Sequence, residues 1–324
     1  MMPSLMPPSL EDIKRARAAL DGVIRRTPLM RHPLLSAETG LDIQVKHENH
    51  NPTGAFKVRG GLNLIASLSD DERALGVITA STGNHGQSIA FASQRAGVSC
   101  IVAVPRDNNP EKNAAIRAFG ATVVEQGKDF DEAREWVEHE AATRGLRYVH
   151  SANEPALVAG VGTYALEIFE DFPDPDIIFV PIGGGSGACG CCIARTGLGK
   201  QTRVIGVQAI EADAFTRSWR GPERVSAERI NTFAEGLATR YSFDLTFDIL
   251  KRELDDIVTL TEEELEAGVR LAMRATHNLA EGAGAASLAA AVKLRGQLQG
   301  STIVCVMSGG NMNMDVLQRI LSRA

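Results

Sequence analysis

The sequence has no excess of positive charge, no cysteine pattern typical of disulfides and no long apolar run. Its 324 residues carry 34 Lys and Arg against 40 Asp and Glu, a formal net charge of −6. Such a chain offers no basic stripe for a nucleic-acid backbone. The five cysteines are an odd number, which argues against a disulfide framework. Since no apolar run reaches the roughly 18 residues of a membrane-spanning helix, we expect a cytoplasmic protein without a nucleic-acid or membrane partner.

Two further features are missing. Cys189, Cys191 and Cys192 lie close together, but no second Cys or His cluster follows at the spacing of zinc ligands, so we expect no metal there. The N-terminal decapeptide MMPSLMPPSL has neither a positive charge nor a long apolar run, and we expect no signal peptide. The content of 44% hydrophobic and 23% charged residues is ordinary for a globular protein.

What the sequence does contain is an alternation of strand-like and helix-like stretches. Short apolar or β-branched runs predict strands at Ile43–Val45, Gly76–Thr79, Cys100–Val104, Thr122–Val124, Ile177–Pro181, Val204–Gln208 and Thr302–Met307. Several intervening segments have apolar residues at helical spacing, which predicts parallel sheets covered by helices on both faces. The unit Gly76–Val124 is expected to form a compact subdomain, and the less regular segment Arg217–Phe247 to wrap one domain against another.

The strand-like run IIFVP leads directly into a glycine-rich turn, followed by a predicted helix from Ala188 to Thr196. The turn consists of Gly183, Gly184, Gly185, Ser186 and Gly187. Its backbone N–H groups and the helix N-terminus suit a phosphate without any Lys or Arg. A tight strand–helix crossover is the structural alternative. Gly185–Gly190 also fits the dinucleotide pattern GxGxxG, with Glu211 at the end of the next strand, so a NAD(P)-dependent oxidoreductase is a further alternative.

Lys57 stands in an unfavourable place for a surface lysine. It follows Gly-Ala-Phe and precedes the helix-like stretch Val58–Leu68, where the positive end of the helix dipole disfavours a cation. Together with apolar neighbours, this end would lower the pKa of the amine and leave it nucleophilic. For a single lysine at a helix start, a solvated side chain is the ordinary alternative.

Residues 48–61, ENHNPTGAFKVRGG, carry a specific resemblance. NPTGAFKVRGG resembles the Schiff-base lysine motif of fold-type II pyridoxal-phosphate enzymes, in the branch of threonine dehydratase and serine racemase. Further motifs follow in the family's order: STGNHGQ (Ser81–Gln87), GGGSG (Gly183–Gly187), AEGL (Ala234–Leu237), EGAG (Glu281–Gly284) and SGGN (Ser308–Asn311). Many relatives carry a fourth glycine where this chain has Ser186. The resemblance extends over almost the whole chain.

The resemblance implies that Lys57 binds pyridoxal 5′-phosphate as a Schiff base. Its freed amine would then remove the Cα proton of an amino-acid substrate as general base. Further cofactor contacts are implied for Phe56 at a ring face, Asn84 at the 3′-oxygen, Ser308 at the pyridine nitrogen, Gly183, Gly184, Gly185, Ser186 and Gly187 at the phosphate, and Gly236 and Glu281 nearby. Phe56 could equally be an ordinary core residue. A neutral hydroxyl at Ser308 makes a weaker electron sink than a carboxylate, which favours β-elimination over transamination.

Ser81, Thr82, Asn84 and His85 lie in a turn between a predicted strand and the following helix. The resemblance implies that they bind the substrate carboxylate, for which hydroxyls and helix-start N–H groups are suitable partners. Ser81 is alternatively a plain helix N-cap. Elimination of a β-hydroxyl, with the cofactor phosphate as a candidate proton donor, would be followed by hydrolysis to a 2-oxo acid and ammonia.

Two positions depart from the family's pattern. Thr82 stands where racemases of this branch have the serine that acts on the second face, so Thr82 is a candidate catalytic residue and a racemase stays an alternative. Gln208 and Ala214 fall on two positions that are acidic in members with a divalent-cation site, while Glu211 and Asp213 are out of register. We therefore expect no metal site.

We predict a fold-type II enzyme with tryptophan synthase β-like architecture, built from two three-layer domains with parallel sheets. Residues 1–70 and 154–324 are expected to form the large cofactor-binding domain, and residues 71–153 a small inserted one. The predicted reaction is dehydration of a β-hydroxy amino acid. L-threonine and L-serine are the first candidate substrates, and hydroxyaspartate and phenylserine are further candidates. Serine racemase is the first alternative. We also expect a homodimer, as is common among relatives, and no C-terminal regulatory domain.

Overall fold

The computed structural model describes residues 6–323. Residues 1–5, on which the expectation about a signal peptide partly rests, lie outside the described residues. The strands are β1 Leu29–Arg31, β2 Asp42–His47, β3 Val77–Ala80, β4 Cys100–Val104, β5 Thr122–Glu125, β6 Arg147–Tyr148, β7 Ile177–Pro181, β8 Arg203–Ala209, β9 Asp256–Leu260 and β10 Thr302–Met307. The helices are α1 Leu10–Leu20, α2 Pro33–Thr39, α3 Lys57–Ala66, α4 Asp70–Leu75, α5 Asn84–Ala96, α6 Pro110–Ala118, α7 Phe130–Arg144, α8 Pro155–Asp171, α9 Ser186–Gly197, α10 Ala214–Arg220, α11 Asp244–Glu253, α12 Glu262–Thr276, α13 Gly282–Lys293 and α14 Met314–Ser322.

The larger sheet has the strand order β1-β2-β10-β7-β8-β9, and all its pairings are parallel except that of β1 with β2. Alternate side chains point to opposite faces of a strand. In β7, Ile177 and Phe179 therefore join the core that includes residues of α12 and α13, whereas Ile178 and Val180 join the core formed with α8 and α9. Helices on both faces explain why this strand is a continuous apolar run.

The smaller sheet has the order β5-β4-β3-β6, with every pairing parallel. Val77 and Val102 pack in a core with α3 and α5, while Ile78 and Ala103 pack against α7 on the other face. This sheet lies inside the expected insertion, residues 71–153. Helix α3 contacts both α5 and α8, so it lies between a helix of the smaller sheet and a helix of the larger sheet. The domain boundaries themselves stay a prediction.

The expected α/β class with parallel sheets is confirmed, and a strand is present at every predicted position. The sequence-based expectations missed β1, β6 and β9. Strands β1 and β6 have three and two residues, too few to show a period, and they exist because longer neighbours pair with them. Strand β9 begins at Asp256, and only Leu254 and Asp255 separate it from α11, so no glycine or proline marks its start.

The segment between α10 and α11 is irregular except for one 3₁₀ turn, Glu235–Leu237. It contacts the helices of the small sheet: Arg240 donates to Asp131 of α7 at 3.1 Å, and Glu235 forms an ion pair with Lys112 of α6. It therefore contacts the helices that cover the smaller sheet, and its expected place between two domains stays a prediction. Among the described residues, no helix has both the length and the hydropathy to span a membrane.

Candidate active site

The predicted site residues converge on a cleft between the two sheets. Neighbouring strands β7 and β10 end at the glycine loop and at Ser308, and β3 ends before the turn at residues 81–83. The carboxyl ends of parallel strands commonly form such ligand-binding crevices. The walls of one cavity include every predicted site residue: Phe56, Lys57, Ser81, Thr82, Asn84, His85, Gly183, Gly184, Gly185, Ser186, Gly187, Gly236, Glu281 and Ser308.

Lys57 begins α3 and extends its amine into this cavity. Its Nζ donates a hydrogen bond to Ser186 Oγ at 3.1 Å and lies 5.2 Å from the centre of the Phe56 ring. Burial lowers the pKa of Lys57 from its ordinary value of 10.5 to about 8. An appreciable fraction of the amine is therefore unprotonated near neutral pH, as a nucleophile or general base requires.

The backbone that carries Lys57 is tied to the end of β10. Phe56 N donates to Ser308 O at 3.0 Å, and Gly310 N donates to Gly54 O at 2.9 Å. Gly54 has a φ of +68°, a backbone conformation that favours glycine. These contacts hold the start of α3 against the end of β10, and both Lys57 and Ser308 line the cavity. Phe56 also packs edge-on against the buried Tyr164, so its core role holds whether or not a ligand is bound.

The glycine loop joins β7 to α9, which begins at Ser186, two residues earlier than predicted. The first-turn N–H groups of a helix have no partner within it, so they can bind an anion. Gly185 has a φ of +91°, and a Cβ on Gly183 would lie 2.1 Å from Gly236 O, so both positions require glycine. Gly190, the last glycine of the dinucleotide-type pattern, has a different role. A Cβ there would lie 2.7 Å from Gly162 Cα, so Gly190 permits close packing of α8 and α9.

A chain of polar side chains joins Asn84 and Glu281 in the cavity wall to Asn311 behind it. Asn311 Nδ2 donates to Asn84 Oδ1, and Asn84 Nδ2 donates to Glu281 Oε1, both at 2.7 Å. Burial raises the pKa of Glu281 from 4.5 to about 7, although the charge of Lys112 and the Asn84 hydrogen bond act in the opposite direction. The amide of Asn84 is thus held in one orientation, beside a carboxyl group that titrates near neutral pH.

Ser81 and Thr82 lie in the turn on the small-domain side. Ser81 Oγ accepts hydrogen bonds from Gly86 N at 2.8 Å and Gly83 N at 3.2 Å. Its hydroxyl therefore stabilises the turn, but the N-cap residue of α5 is Gly83, so Ser81 is not the plain N-cap of the alternative interpretation. Thr82 is half-buried and lines the cavity, and its backbone carbonyl accepts from Asn108. Whether either residue binds substrate stays a prediction.

His85 is buried in the cavity wall and directed towards the small sheet. Its Nε2 lies 2.9 Å from Thr79 Oγ1, and that hydroxyl donates to Val149 O at 2.7 Å. Nε2 must then be the donor to Thr79. Burial, reinforced by the charge of Lys57, lowers the pKa of His85 to about 3, so the ring is neutral. A neutral imidazole positions the turn but supplies no charge to a carboxylate.

The donor set fits pyridoxal phosphate. Lys57 offers an amine of lowered pKa for the aldehyde, and the start of α9 offers N–H groups for the phosphate. Ser308, which is buried at the end of β10, offers a neutral hydroxyl for the ring nitrogen, and Asn84 an amide for the ring oxygen. The space that a Cβ on Gly183 would need is filled by backbone, so only glycine allows the loop to lie so close to the neighbouring segment. The role of each residue stays a prediction.

Beneath α3, Arg59 joins a network of buried charges that sequence reasoning missed. It donates to both carboxylate oxygens of Glu48, at 2.7 and 2.9 Å, and to both of Glu167, also at 2.7 and 2.9 Å. Lys46 donates to Glu167 as well. Two cations thus balance two carboxylates, all nearly inaccessible to solvent. Because Arg59 lies two residues after Lys57, the network anchors the helix that carries the lysine.

An ion pair across the cleft was also missed by sequence reasoning. Lys112 and Glu235 both line the cavity, and their side chains form an ion pair that joins the small domain to the segment before α11. Glu235 additionally accepts from Asn313 Nδ2 at 3.2 Å. The sequence carries no signal for this ion pair, because its two charged residues are far apart in the chain and only the tertiary fold brings them together.

Comparisons with known proteins agree with the geometry. A family described as "Pyridoxal-phosphate dependent enzyme" matches residues 20–309. The L-threonine ammonia-lyase of Thermotoga maritima is 38% identical over 318 residues, 97% of this chain and 78% of that protein. A catabolic L-threonine dehydratase of Staphylococcus aureus is 33% identical over 312 residues, 94% of this chain and 90% of that protein. Threonine deaminase isoform 2 of Solanum lycopersicum has a TM-score of 0.91 at 28% identity, with coverage of 100% and 92%. Serine racemase of Dictyostelium discoideum has a TM-score of 0.86 at 32% identity, with coverage of 95% and 99%.

Proposed function

Since this chain belongs to the family of pyridoxal-phosphate dependent enzymes, we propose that it is an ammonia-lyase that converts L-threonine or L-serine to a 2-oxo acid and ammonia. The family match confirms the resemblance to fold-type II enzymes and pyridoxal phosphate as the cofactor. Relatives at 33% and 38% identity are named for the same reaction on threonine. The match gives no support to the NAD(P)-dependent alternative.

One observation carries the proposal most directly. The Lys57 amine, whose pKa is lowered to about 8, donates to Ser186 Oγ at the first residue of α9. A nucleophilic amine and an anion-binding helix start are therefore within one hydrogen bond of each other. A ligand that carries both an aldehyde and a phosphate fits this pair of groups.

The residues of the chain have distinct tasks in this reaction. Bound pyridoxal phosphate supplies an electron sink for the charge that develops at the substrate Cα. Lys57 Nζ removes the Cα proton and holds it, while Ser186 Oγ keeps the amine in place. The N–H groups at the start of α9 orient the phosphate. Ser308 presents a hydroxyl rather than a carboxylate to the ring, which supports elimination over transamination.

The activity is tested by incubating cofactor-loaded protein with L-threonine and measuring 2-oxobutyrate and ammonia. Equal amounts of both are expected. Lys57→Ala should reduce turnover about 10²–10⁴-fold, the usual contribution of a general base. Borohydride should fix the mass of the cofactor on the peptide that contains Lys57. The matched control is Lys128→Ala, because Lys128 is exposed, precedes α7 and forms its ion pair with Glu132 in the first turn of that helix. Wild-type protein that carries the cofactor and releases neither product would refute the proposal.

Racemisation of serine is the second candidate, and it is favoured by the position of Thr82. Its side chain lines the same cavity as Lys57 and retains the hydroxyl that a second acid/base needs. Chiral analysis of L-serine incubations should then detect D-serine, which Thr82→Val should abolish while elimination continues. Absence of D-serine from the wild-type reaction would exclude this candidate.

We further propose that the enzyme acts in the cytoplasm as a homodimer. The five cysteines are free and buried, and free thiols persist best in a reducing compartment. Dimerisation is supported by the family resemblance. Light scattering on protein that elutes from a size-exclusion column should measure twice the mass of one chain. A monomeric mass at the concentrations used for the activity assay would contradict it.

A further inference from the structure

A second cavity continues from Lys57 towards the irregular segment before α11. Its volume is about 510 Å³, and the residues that it shares with the cofactor cavity are Lys57, Thr82, Ser151, Gly184 and Glu235. A cavity of this size suits a ligand of several hundred daltons, whereas the Cβ of threonine carries only a methyl group. The volume therefore exceeds what threonine or serine uses.

This space persists although the two domains are already in contact at its edge. Glu235 lines the cavity and pairs with Lys112, and Arg240 lines it and donates to Asp131 at 3.1 Å. Both pairs connect the small domain with the segment before α11. These two pairs bound one edge of the cavity, which stays open to solvent beside the exposed side chains of Asp107, Glu235 and Arg240.

The walls of the cavity are suited to an aromatic ring. The apolar side chains that line it are Phe130, Ile230, Ala238, Tyr241 and Phe243. The rings of Tyr241 and Phe243 lie 5.2 Å apart at an interplanar angle of 65°, and His150 meets Phe243 edge-on at 5.2 Å. Aromatic rings prefer such tilted and edge-to-face arrangements, so a further ring can extend the cluster.

The charges at the cavity disfavour an acidic substituent. The acidic side chains that line it are Asp107, Asp129, Asp131 and Glu235, and Arg240 is already paired with Asp131. Asp131 and Glu235 are balanced by Arg240 and Lys112, so among the described lining residues a second substrate carboxylate would meet Asp107 and Asp129 and no unpaired guanidinium. A neutral ring meets no such repulsion.

We propose that this cavity, the side-chain pocket, binds the Cβ substituent of the substrate, and that the enzyme acts on β-hydroxy amino acids with an aromatic group at Cβ, such as 3-phenylserine. The inference rests on the proposed function, since the same bonds react. The Cα–H and Cβ–O bonds break. Lys57 Nζ takes the Cα proton and passes it to the hydroxyl, which leaves as water. Water then adds again and ammonia is released. The net products are phenylpyruvate and ammonia, and no oxidant is needed.

The first test compares the substrates of the cofactor-loaded enzyme. L-threonine, 3-phenylserine and 3-hydroxyaspartate are supplied separately, and 2-oxo acid release is measured. We expect kcat/KM for 3-phenylserine to equal or exceed that for L-threonine, and 3-hydroxyaspartate to be at least about tenfold poorer than 3-phenylserine. Ala238→Phe fills the side-chain pocket. It should lower the ratio of kcat/KM for 3-phenylserine to kcat/KM for L-threonine by about tenfold or more. Ala142→Phe adds the same ring on an exposed position of α7 and should leave the ratio unchanged.

The second test measures binding without turnover. L-phenylalanine has the ring but no β-hydroxyl to lose, and L-alanine has neither. Calorimetric titration of the cofactor-loaded wild-type enzyme should give a Kd for L-phenylalanine at least about tenfold below that for L-alanine. This measurement decides the point even if Ala238→Phe does not fold.

The outcomes separate the two proposals. Turnover of L-threonine without turnover of 3-phenylserine, or equal Kd values for the two analogues, overturns the side-chain pocket and leaves the proposed function intact. An equal loss of both activities in Ala238→Phe also overturns it. No 2-oxo acid from any substrate, despite bound cofactor, refutes the proposed function itself.

Discussion

Replacing Arg59 by methionine should reduce the free energy of unfolding by about 3–5 kcal/mol, because removing one partner from a buried ion network leaves an uncompensated charge. The Arg59 side chain is 1% exposed and donates to both Glu48 and Glu167. Without it, two buried carboxylates face a single cation, Lys46, and the network changes from neutral to one net negative charge. Methionine fills the space of the alkyl stem, so the lost packing adds little.

Equilibrium urea unfolding measures the effect, and a double mutant tests its cause. Arg59→Met with Glu48→Gln restores the charge balance and should recover about 2 kcal/mol relative to the sum of the single changes. The control is Arg144→Met, since Arg144 is half-exposed and pairs with Glu140 one helical turn away. It should cost no more than about 0.5 kcal/mol. A loss below about 1 kcal/mol for Arg59→Met, or strictly additive effects in the double mutant, would refute the reasoning.

The pH dependence of the free energy of unfolding provides a second test of the same network. Burial raises the pKa of Glu167, but the hydrogen bonds and charges of Arg59 and Lys46 outweigh burial and hold it below the ordinary 4.5. A carboxyl whose folded pKa is depressed contributes stability above its unfolded pKa and loses it as the pH falls through the folded value. Wild-type protein should therefore lose more stability below about pH 4.5 than Arg59→Met does.

Three further changes test the site. Gly183→Ala puts a Cβ 2.1 Å from Gly236 O, so the loop must move. A spectroscopic titration should then show at least about tenfold weaker cofactor binding. Unchanged affinity would contradict the close approach of the two backbone segments. Ser186→Ala removes the hydrogen-bond acceptor of Lys57 and should lower kcat by about tenfold with the fold intact, whereas full activity would show that this contact is dispensable. Glu281→Gln removes a carboxyl whose pKa burial raises to about 7. The folded wild type binds that proton more tightly than the unfolded chain, so its stability falls as the pH rises from about 4.5 to 7. Urea unfolding of the cofactor-free proteins across this range should give a flatter profile for the variant, and parallel profiles would count against the raised pKa.

Much of the fold was predictable because its signals are local. Strand β7 is an unbroken apolar run that leads into glycines, and its predicted bounds, Ile177–Pro181, are those observed. The motif around Lys57 and the motif that contains Ser308 identified residues that line one cavity. Strand β6, by contrast, has two residues and no period of its own. It forms only because β3 offers an edge.

The site was less predictable where it depends on charge. Arg59 and Glu167 are 108 residues apart in sequence, and Lys112 and Glu235 are 123 apart. In the sequence each is one charged residue among many, most of which lie on solvated surfaces. No local pattern marks the few that folding brings into contact.

The order of amino acids therefore dictated the longer strands, the glycine loop and the position of Lys57 at a helix start, since each depends on neighbours within a few residues. Folding created the properties that give these residues their chemistry. The pKa of Lys57 falls because distant segments exclude water from its amine, and its hydrogen-bond partner, Ser186, lies 129 residues away. The side-chain pocket likewise forms only where the segment before α11 meets loops of the smaller sheet. Burial and electrostatic interaction depend on distance in space, and only the folded chain establishes those distances.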